Sequence, residues 1–266
     1  PYGEYSLIEV QAPYGYALDK TPVAFSVSSE NAEKENSFTI VKVEKQNTAQ
    51  KGKISVRKTG DIFTSVTTAS SAYTNENGEM IVNPTTYTPV FANGDLSGAV
   101  FQVIAVEDIV TLDGTVRASA GDVVAEITTD ENGYAETDLL YLGKYEIKEV
   151  QAPYGYVRNS ESQFVELTYA GQEIAVLDTV NASFVNDYQS VEISLSKVME
   201  NDELFGIGNN NEYLSVRFGL FAAEDITAAD GTVIPADGLL SEVSLAENMT
   251  AKFDVQIPFG RYYVKE

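Results

Sequence analysis

Residues 143–156 read Gly143-Lys144-Tyr145-Glu146-Ile147-Lys148-Glu149-Val150-Gln151-Ala152-Pro153-Tyr154-Gly155-Tyr156. Tyr145, Ile147 and Glu149 alternate with Lys144, Glu146 and Lys148. A period of two sends successive side chains to opposite faces, which is the pattern of a half-buried β-strand. The same alternation sets Ile54, Val56 and Lys58 against Ser55, Arg57 and Thr59. Turn dipeptides separate such runs: Asn77-Gly78, Asn93-Gly94, Asp113-Gly114, Asn132-Gly133 and Asp230-Gly231. No long stretch carries a helical stripe. The fold class is all-β, built from antiparallel β-sandwiches.

The stretch is also a repeat. Glu149 to Tyr156 occurs letter for letter as Glu9-Val10-Gln11-Ala12-Pro13-Tyr14-Gly15-Tyr16. Gly143-x-Tyr145-x-x-x-Glu149 returns as Gly260-x-Tyr262-x-x-x-Glu266. Glu107-Asp108-Ile109 with Asp113-Gly114-Thr115-Val116 returns as Glu224-Asp225-Ile226 with Asp230 to Val233, and Asn47 precedes Lys58 by the interval that separates Asn186 from Lys197. Fixed-offset similarity means tandem modules. Residues 50–189 form one complete module; 1–49 read as the C-terminal part of a preceding one and 190–266 as the N-terminal part of a following one. The linkers near 49–51 and 187–189 are short, which predicts a semi-rigid array. Residues 61–95 have no counterpart in the third module and read as an inserted loop or hairpin.

Composition narrows the function. The chain has 266 residues, 17 Lys and Arg against 40 Asp and Glu, and a net charge of −23. Such a surface repels phosphate backbones and anionic lipid, so nucleic acid is not an expected partner. No apolar run is long enough to span a bilayer, so no direct membrane insertion is expected. There is no Cys and no His. That removes disulfides, Ser-His and Cys-His dyads and the usual zinc sets, so neither cofactor nor metal is expected. Asp130-Glu131-Asn132-Gly133 lacks the ligand spacing of a calcium loop and reads as a turn. Gly206-Ile207-Gly208 and the following asparagines read as a loop without the context of a phosphate cradle.

Parity singles out three polar residues. Lys58 shares its face with Ile54 and Val56, Glu149 with Tyr145 and Ile147, and Asn186 with Phe184. Glu9, Lys197 and Glu266 repeat the pattern in the flanking modules. A residue at a strand end can be solvated, which is the plain alternative. An inward charge otherwise costs several kcal/mol unless paired. Burial favours a neutral amine on Lys58 and a protonated carboxyl on Glu149. The amine could then attack Asn186 Cγ while Glu149 shuttles protons and ammonia leaves. Held in contact, such groups reach effective molarities of roughly 10⁵ M or more, and no His is required.

Lys on the first strand, Tyr-x-x-x-Glu-x-x-Ala-Pro-x-Gly-Tyr late in the module and Asn on the last strand resemble the Cna B-type, or SpaA-like, prealbumin-like domains of Gram-positive surface proteins and pilins. Leu96-Ser97-Gly98-Ala99-Val100-Phe101 and Thr129 to Gly133 fit the same family. The resemblance implies a transthyretin-like reverse-immunoglobulin sandwich with a Lys58–Asn186 isopeptide bond promoted by Glu149. It implies that Glu9 and Asn47, and Lys197 and Glu266, are partial sites of the flanking modules, although Lys45 stands where the second module has Phe184. It further implies a secreted stalk on a Gram-positive cell wall, anchored through parts outside this chain. Such a stalk is no enzyme beyond one autocatalytic turnover. A binding module for a host extracellular protein or glycan, using residues 61–95, is the alternative function. Because 1–49 supplies an Asn and 190–266 a Lys, head-to-tail self-association is a further expectation beside that of chain ends that are simply cut edges.

Overall fold

A computed structural model describes residues 1–28, 33–35, 38–200 and 211–266. Among them the regular elements are strands, apart from one 3-10 turn at Glu212–Ser215. The loop expected at Gly206–Gly208 lies outside the described residues. The chain packs as two compact units: Pro1–Lys58 with Leu96–Tyr154 and Arg158–Val185, and Thr59–Asp95 with Gly155–Val157 and Asn186–Glu266.

The first unit holds a β-sandwich. One sheet runs Val123–Thr128, Val100–Ala105, Gly143–Gln151, Gln163–Leu167, with every neighbour antiparallel. Its register sets Phe101 against Glu149, Val103 against Ile147 and Ala105 against Tyr145. The other sheet is centred on the first half of strand Ile54–Ala69, which pairs with Tyr134–Glu136 and with Val180–Asn186. Between the sheets lie Ile54, Val56, Phe101, Val103, Tyr145, Ile147 and Phe184, all buried. Their odd and even spacing is the sequence alternation turned into a core.

Residues 1–49 add smaller pairings. Gly3–Leu7 pairs with Val23–Val27, and Tyr16–Ala17 with Thr48–Ala49. Strand Gly3–Leu7 is exposed along its length; among the described residues its one strand neighbour is Val23–Val27. Tyr5 and Leu7 therefore share a face with Glu9 without being buried. The junction with residues 50–189 is tied on one side. Gln50 is wholly buried, and its amide donates to Gly171 O and Ile174 O, both at 2.5 Å, and accepts from Ala170 N at 3.2 Å. Leu18 N donates to Gln172 O at 2.8 Å and Ala12 N to Gln172 Oε1 at 2.9 Å.

The second unit contains the insertion, which is a hairpin. The second half of Ile54–Ala69 pairs antiparallel with Thr86–Asp95, from Thr59↔Asp95 to Ala69↔Thr86. The turn expected at Asn93-Gly94 is part of this ladder instead: Asn93 faces Asp61 and Gly94 faces Gly60. Gly94 serves there because a Cβ would run into the Ile62 side chain. The rest of the unit is a sheet of Leu239–Ser244, Arg217–Ala222 and Tyr262–Lys265, with Ile193–Ser196 paired to Thr250–Phe253.

The repeat is visible as equivalent hydrogen bonds. Tyr145 OH donates to Tyr141 O at 2.6 Å, Tyr262 OH to Pro258 O at 2.7 Å and Tyr5 OH to Pro1 O at 2.9 Å. Each hydroxyl thus ties its strand to the backbone four residues upstream, ahead of the strand's first residue, a local device like the tyrosine corner of other sandwiches. Ala120 N donates to Asp108 Oδ1 at 2.8 Å and Ala236 N to Asp225 Oδ1 at 2.7 Å.

Candidate functional site

Three buried polar residues interrupt the inner face of the sandwich. Lys58 and Glu149 have no solvent exposure and Asn186 has 2%. Lys58 is brought there because Ile54, Val56 and Lys58 are the inward residues of their strand, with Arg57 exposed. Its backbone N donates to Gly133 O at 2.7 Å and its carbonyl accepts from Leu96 N at 3.0 Å, so the strand is held on both sides at this residue. Glu149 is the last inward residue of Gly143–Gln151, after Tyr145 and Ile147. Asn186 ends strand Val180–Asn186, on which Ala182, Phe184 and Asn186 are buried and the residues between them exposed.

The amine and the carboxyl meet: Lys58 Nζ lies 3.5 Å from Glu149 Oε1. Two aromatic rings wall the amine in, with Nζ 5.9 Å from the centroids of both Phe101 and Phe184, which themselves lie 4.8 Å apart. Asn186 is the next inward residue after Phe184. Glu149 is oriented from its other oxygen, since Oε2 accepts from Asn159 N at 2.6 Å. That leaves Oε1 as the oxygen on the lysine side, where a proton can be taken or given.

Burial pushes the Lys58 amine below its ordinary value of 10.5, and the Glu149 carboxylate opposes that shift. The sign has a consequence. In an Asn186→Ala chain, which offers that amine no side-chain amide to attack, the unfolded state binds more protons than the folded one between the lowered value and 10.5. Stability should therefore rise with pH across that window. Urea midpoints compared with those of Lys58→Met/Asn186→Ala, where the tyrosine contributions cancel, measure it. A difference that stays flat or falls with pH would mean that the buried amine remains charged.

Glu9, Asn47, Lys197 and Glu266 are more open. Asn47 Nδ2 donates to Glu9 Oε1 and Oε2, both at 2.8 Å, and Glu9 Oε2 accepts from Asp19 N at 3.1 Å. Asp19 follows Glu9 by the ten residues that separate Asn159 from Glu149. The backbone amide that holds the carboxyl is thus common to both, a feature not read from the sequence although its fixed offset was there to see. Lys45 pairs with Asp19 Oδ2 at 2.6 Å. Lys197 and Glu266 form an ion pair, and Lys197 Nζ lies 5.9 Å from the Phe218 ring, matching Lys58 over Phe101. Lys197 is half-buried and Glu266 exposed, so the inward expectation for Glu266 is not met: it follows strand Tyr262–Lys265, which among the described residues pairs with Arg217–Ala222 alone.

Two other arrangements bear on function. The insertion's aromatic rings Phe63, Tyr87 and Phe91 turn into their own unit, and Tyr73 is exposed at 56%. A cavity of about 300 Å³ in the first unit, lined by Tyr14, Gln50, Tyr141, Leu167 and Tyr169, holds a single carboxylate, Glu166. It lacks the converging acid pair of a glycosidase.

Residues 1–42 and 91–181, half of the chain, match the family model described as SpaA, a prealbumin-like fold domain. Over 101 residues the chain is 29% identical to the trypsin-resistant surface T6 protein of Streptococcus pyogenes serotype M6. That alignment covers 38% of this chain and 18% of the streptococcal protein, so the chain spans under a fifth of that relative's length. Among solved structures, the Bacillus anthracis TIE protein aligns with 100% of this chain and 36% of its own, with 22% identity and a TM-score of 0.57. This is a likeness of fold. A streptococcal ancillary pilin aligns with 99% of this chain and 66% of its own at 19% identity and a TM-score of 0.34.

Proposed function

The chain belongs to the family of SpaA prealbumin-like fold domains, and from that premise we propose that it is a segment of an extracellular stalk on a Gram-positive cell surface, made of modules that cross-link themselves. The modules are 1–49, in part; 50–189, complete and carrying the insertion near 61–95; and 190–266, in part. The observation that supports this reading is the wholly buried Lys58–Glu149 pair, 3.5 Å apart, on the inner face that Asn186 also occupies from the last strand.

The chemistry follows from those groups. Burial disfavours the ammonium, and a neutral amine is a nucleophile. Lys58 Nζ attacks Asn186 Cγ. One amine proton passes through Glu149 Oε1 to the departing amide nitrogen. A C–N bond forms to lysine, the C–N bond to the asparagine side-chain nitrogen breaks, and ammonia leaves. Each site acts once and on itself. Lys197 with Glu266, and Glu9 with Asn47, are read as the same machinery in neighbouring modules.

The bond would join the first strand of the module to the last. Tension entering at residue 51 and leaving near 189 then passes through covalent bonds instead of unzipping hydrogen-bonded strands. Intact mass of the unmutated chain tests the reading. The expected mass is below that of the sequence by one ammonia for each closed site, with Lys58 and Asn186 recovered in one branched peptide after digestion. A full sequence mass would overturn it.

A further inference from the structure

The inserted hairpin of residues 61–95 packs within the second compact unit, against residues 190–266. Ala229 N and Asp230 N donate to Phe63 O and Thr64 O, both at 3.1 Å, and Val66 N donates to Thr232 Oγ1 at 2.8 Å. Thr86 bridges to Leu239, placing the hairpin beside strand Leu239–Ser244. Phe63, Val66 and Tyr87 pack against the apolar cluster of Leu220, Ala222, Ile226, Ile234, Leu240, Phe253 and Ile257.

A second set of contacts fastens the base of the hairpin. Phe91 lies 5.1 Å from Tyr188, and Tyr188 lies 5.0 Å from Phe259, ring centre to ring centre. Tyr188 OH accepts from Phe259 N at 3.0 Å, and Tyr156 OH donates to Asp61 O at 2.8 Å. Gly155 is held at φ +85°, and a Cβ there would run into the Phe259 ring.

We propose that the hairpin is a strap that the complete module donates to the one that follows, and that the following module's core is completed by side chains it does not itself encode. Two physical facts require this. A two-stranded hairpin is marginal in water on its own and gains its stability from an apolar face to lie on. The cluster around Leu220, in turn, would present its flank to water without Phe63, Val66 and Tyr87, and strand Leu239–Ser244 would lose its cover on that edge. The dependence is mutual, so successive modules are coupled folding units and not independent beads. The inference stands on these contacts and needs no cross-link.

Hydrogen exchange on the full chain tests it, comparing the unmutated protein with Phe63→Ala/Tyr87→Ala. Amides in Arg217–Ala222 and Leu239–Ser244 are expected to exchange at least tenfold faster. Those in Val100–Ala105 and Gly143–Gln151 should be unchanged, and Val82→Ser at the exposed hairpin tip should change neither group. A chain in which Asn-Gly replaces residues 63–91, joining the Ile62 and Ala92 pair, should show the same loss more strongly. Unchanged exchange at 217–244 in the double variant overturns the strap. Equal acceleration in both units overturns it as well, since the damage would then be general. If the shortened chain does not fold, the double variant alone decides.

Discussion

Glu149→Ala is expected to show the full mass of its own sequence, with no ammonia lost at this site, and to produce the largest single loss of stability. The substitution removes the carboxyl that lies 3.5 Å from Lys58 Nζ and would move the proton that the departing nitrogen needs. The Lys58–Asn186 amide then does not form, and the loop of more than a hundred residues that it would close regains its unfolded freedom. By the loop-entropy model used for disulfides, that closure is worth ~4–5 kcal/mol. Glu149→Gln separates chemistry from shape, because it keeps the volume and can still accept from Asn159 N, yet it has no ionisable proton. Both variants should lose heat and protease resistance together with the cross-link. A variant that still weighs one ammonia less than its sequence would show that Glu149 is not the promoter, even if the bond itself stands.

Phe101→Ala should cost about 3–5 kcal/mol, the usual range for emptying a buried aromatic site. Phe101 is wholly buried, packs on Phe184 at 4.8 Å and lies across the ladder from Glu149. Its ring is also half of the wall around the Lys58 amine. Opening that wall admits water, restores part of the ammonium's hydration and raises the charged fraction of the amine. Cross-linking should therefore slow as well, which a time course of intact mass after synthesis or refolding would record. Destabilisation with an unchanged rate of mass loss would mean that the apolar wall is structural and does not tune the nucleophile.

The two inferences fit one mechanical picture. A bond from residue 58 to residue 186 would enclose the hairpin of residues 59–95 within the closed loop. Load applied to the chain would then bypass the hairpin, and the strap would stay seated under tension.

Much of this molecule is written in local order. The alternation in residues 143–149 and 54–58 determined strands, because side-chain parity is a property of the strand itself and needs no partner. The same parity put Lys58, Glu149 and Asn186 on the inner faces, and all three are buried. Where a strand has a single neighbour among the described residues, as at Gly3–Leu7, parity still set the shared face but did not bury it. Tertiary structure alone decided what met what. It placed Glu149 Oε1 against Lys58 and gave Oε2 to the Asn159 amide. It made Asn93-Gly94 a rung beside Ile62 instead of a turn. It sent Phe63 and Tyr87 into a core encoded more than a hundred residues away. The physical reason is one of range: the period of a sequence reports which way a side chain faces, whereas the group it faces is chosen by contacts between segments far apart in the chain.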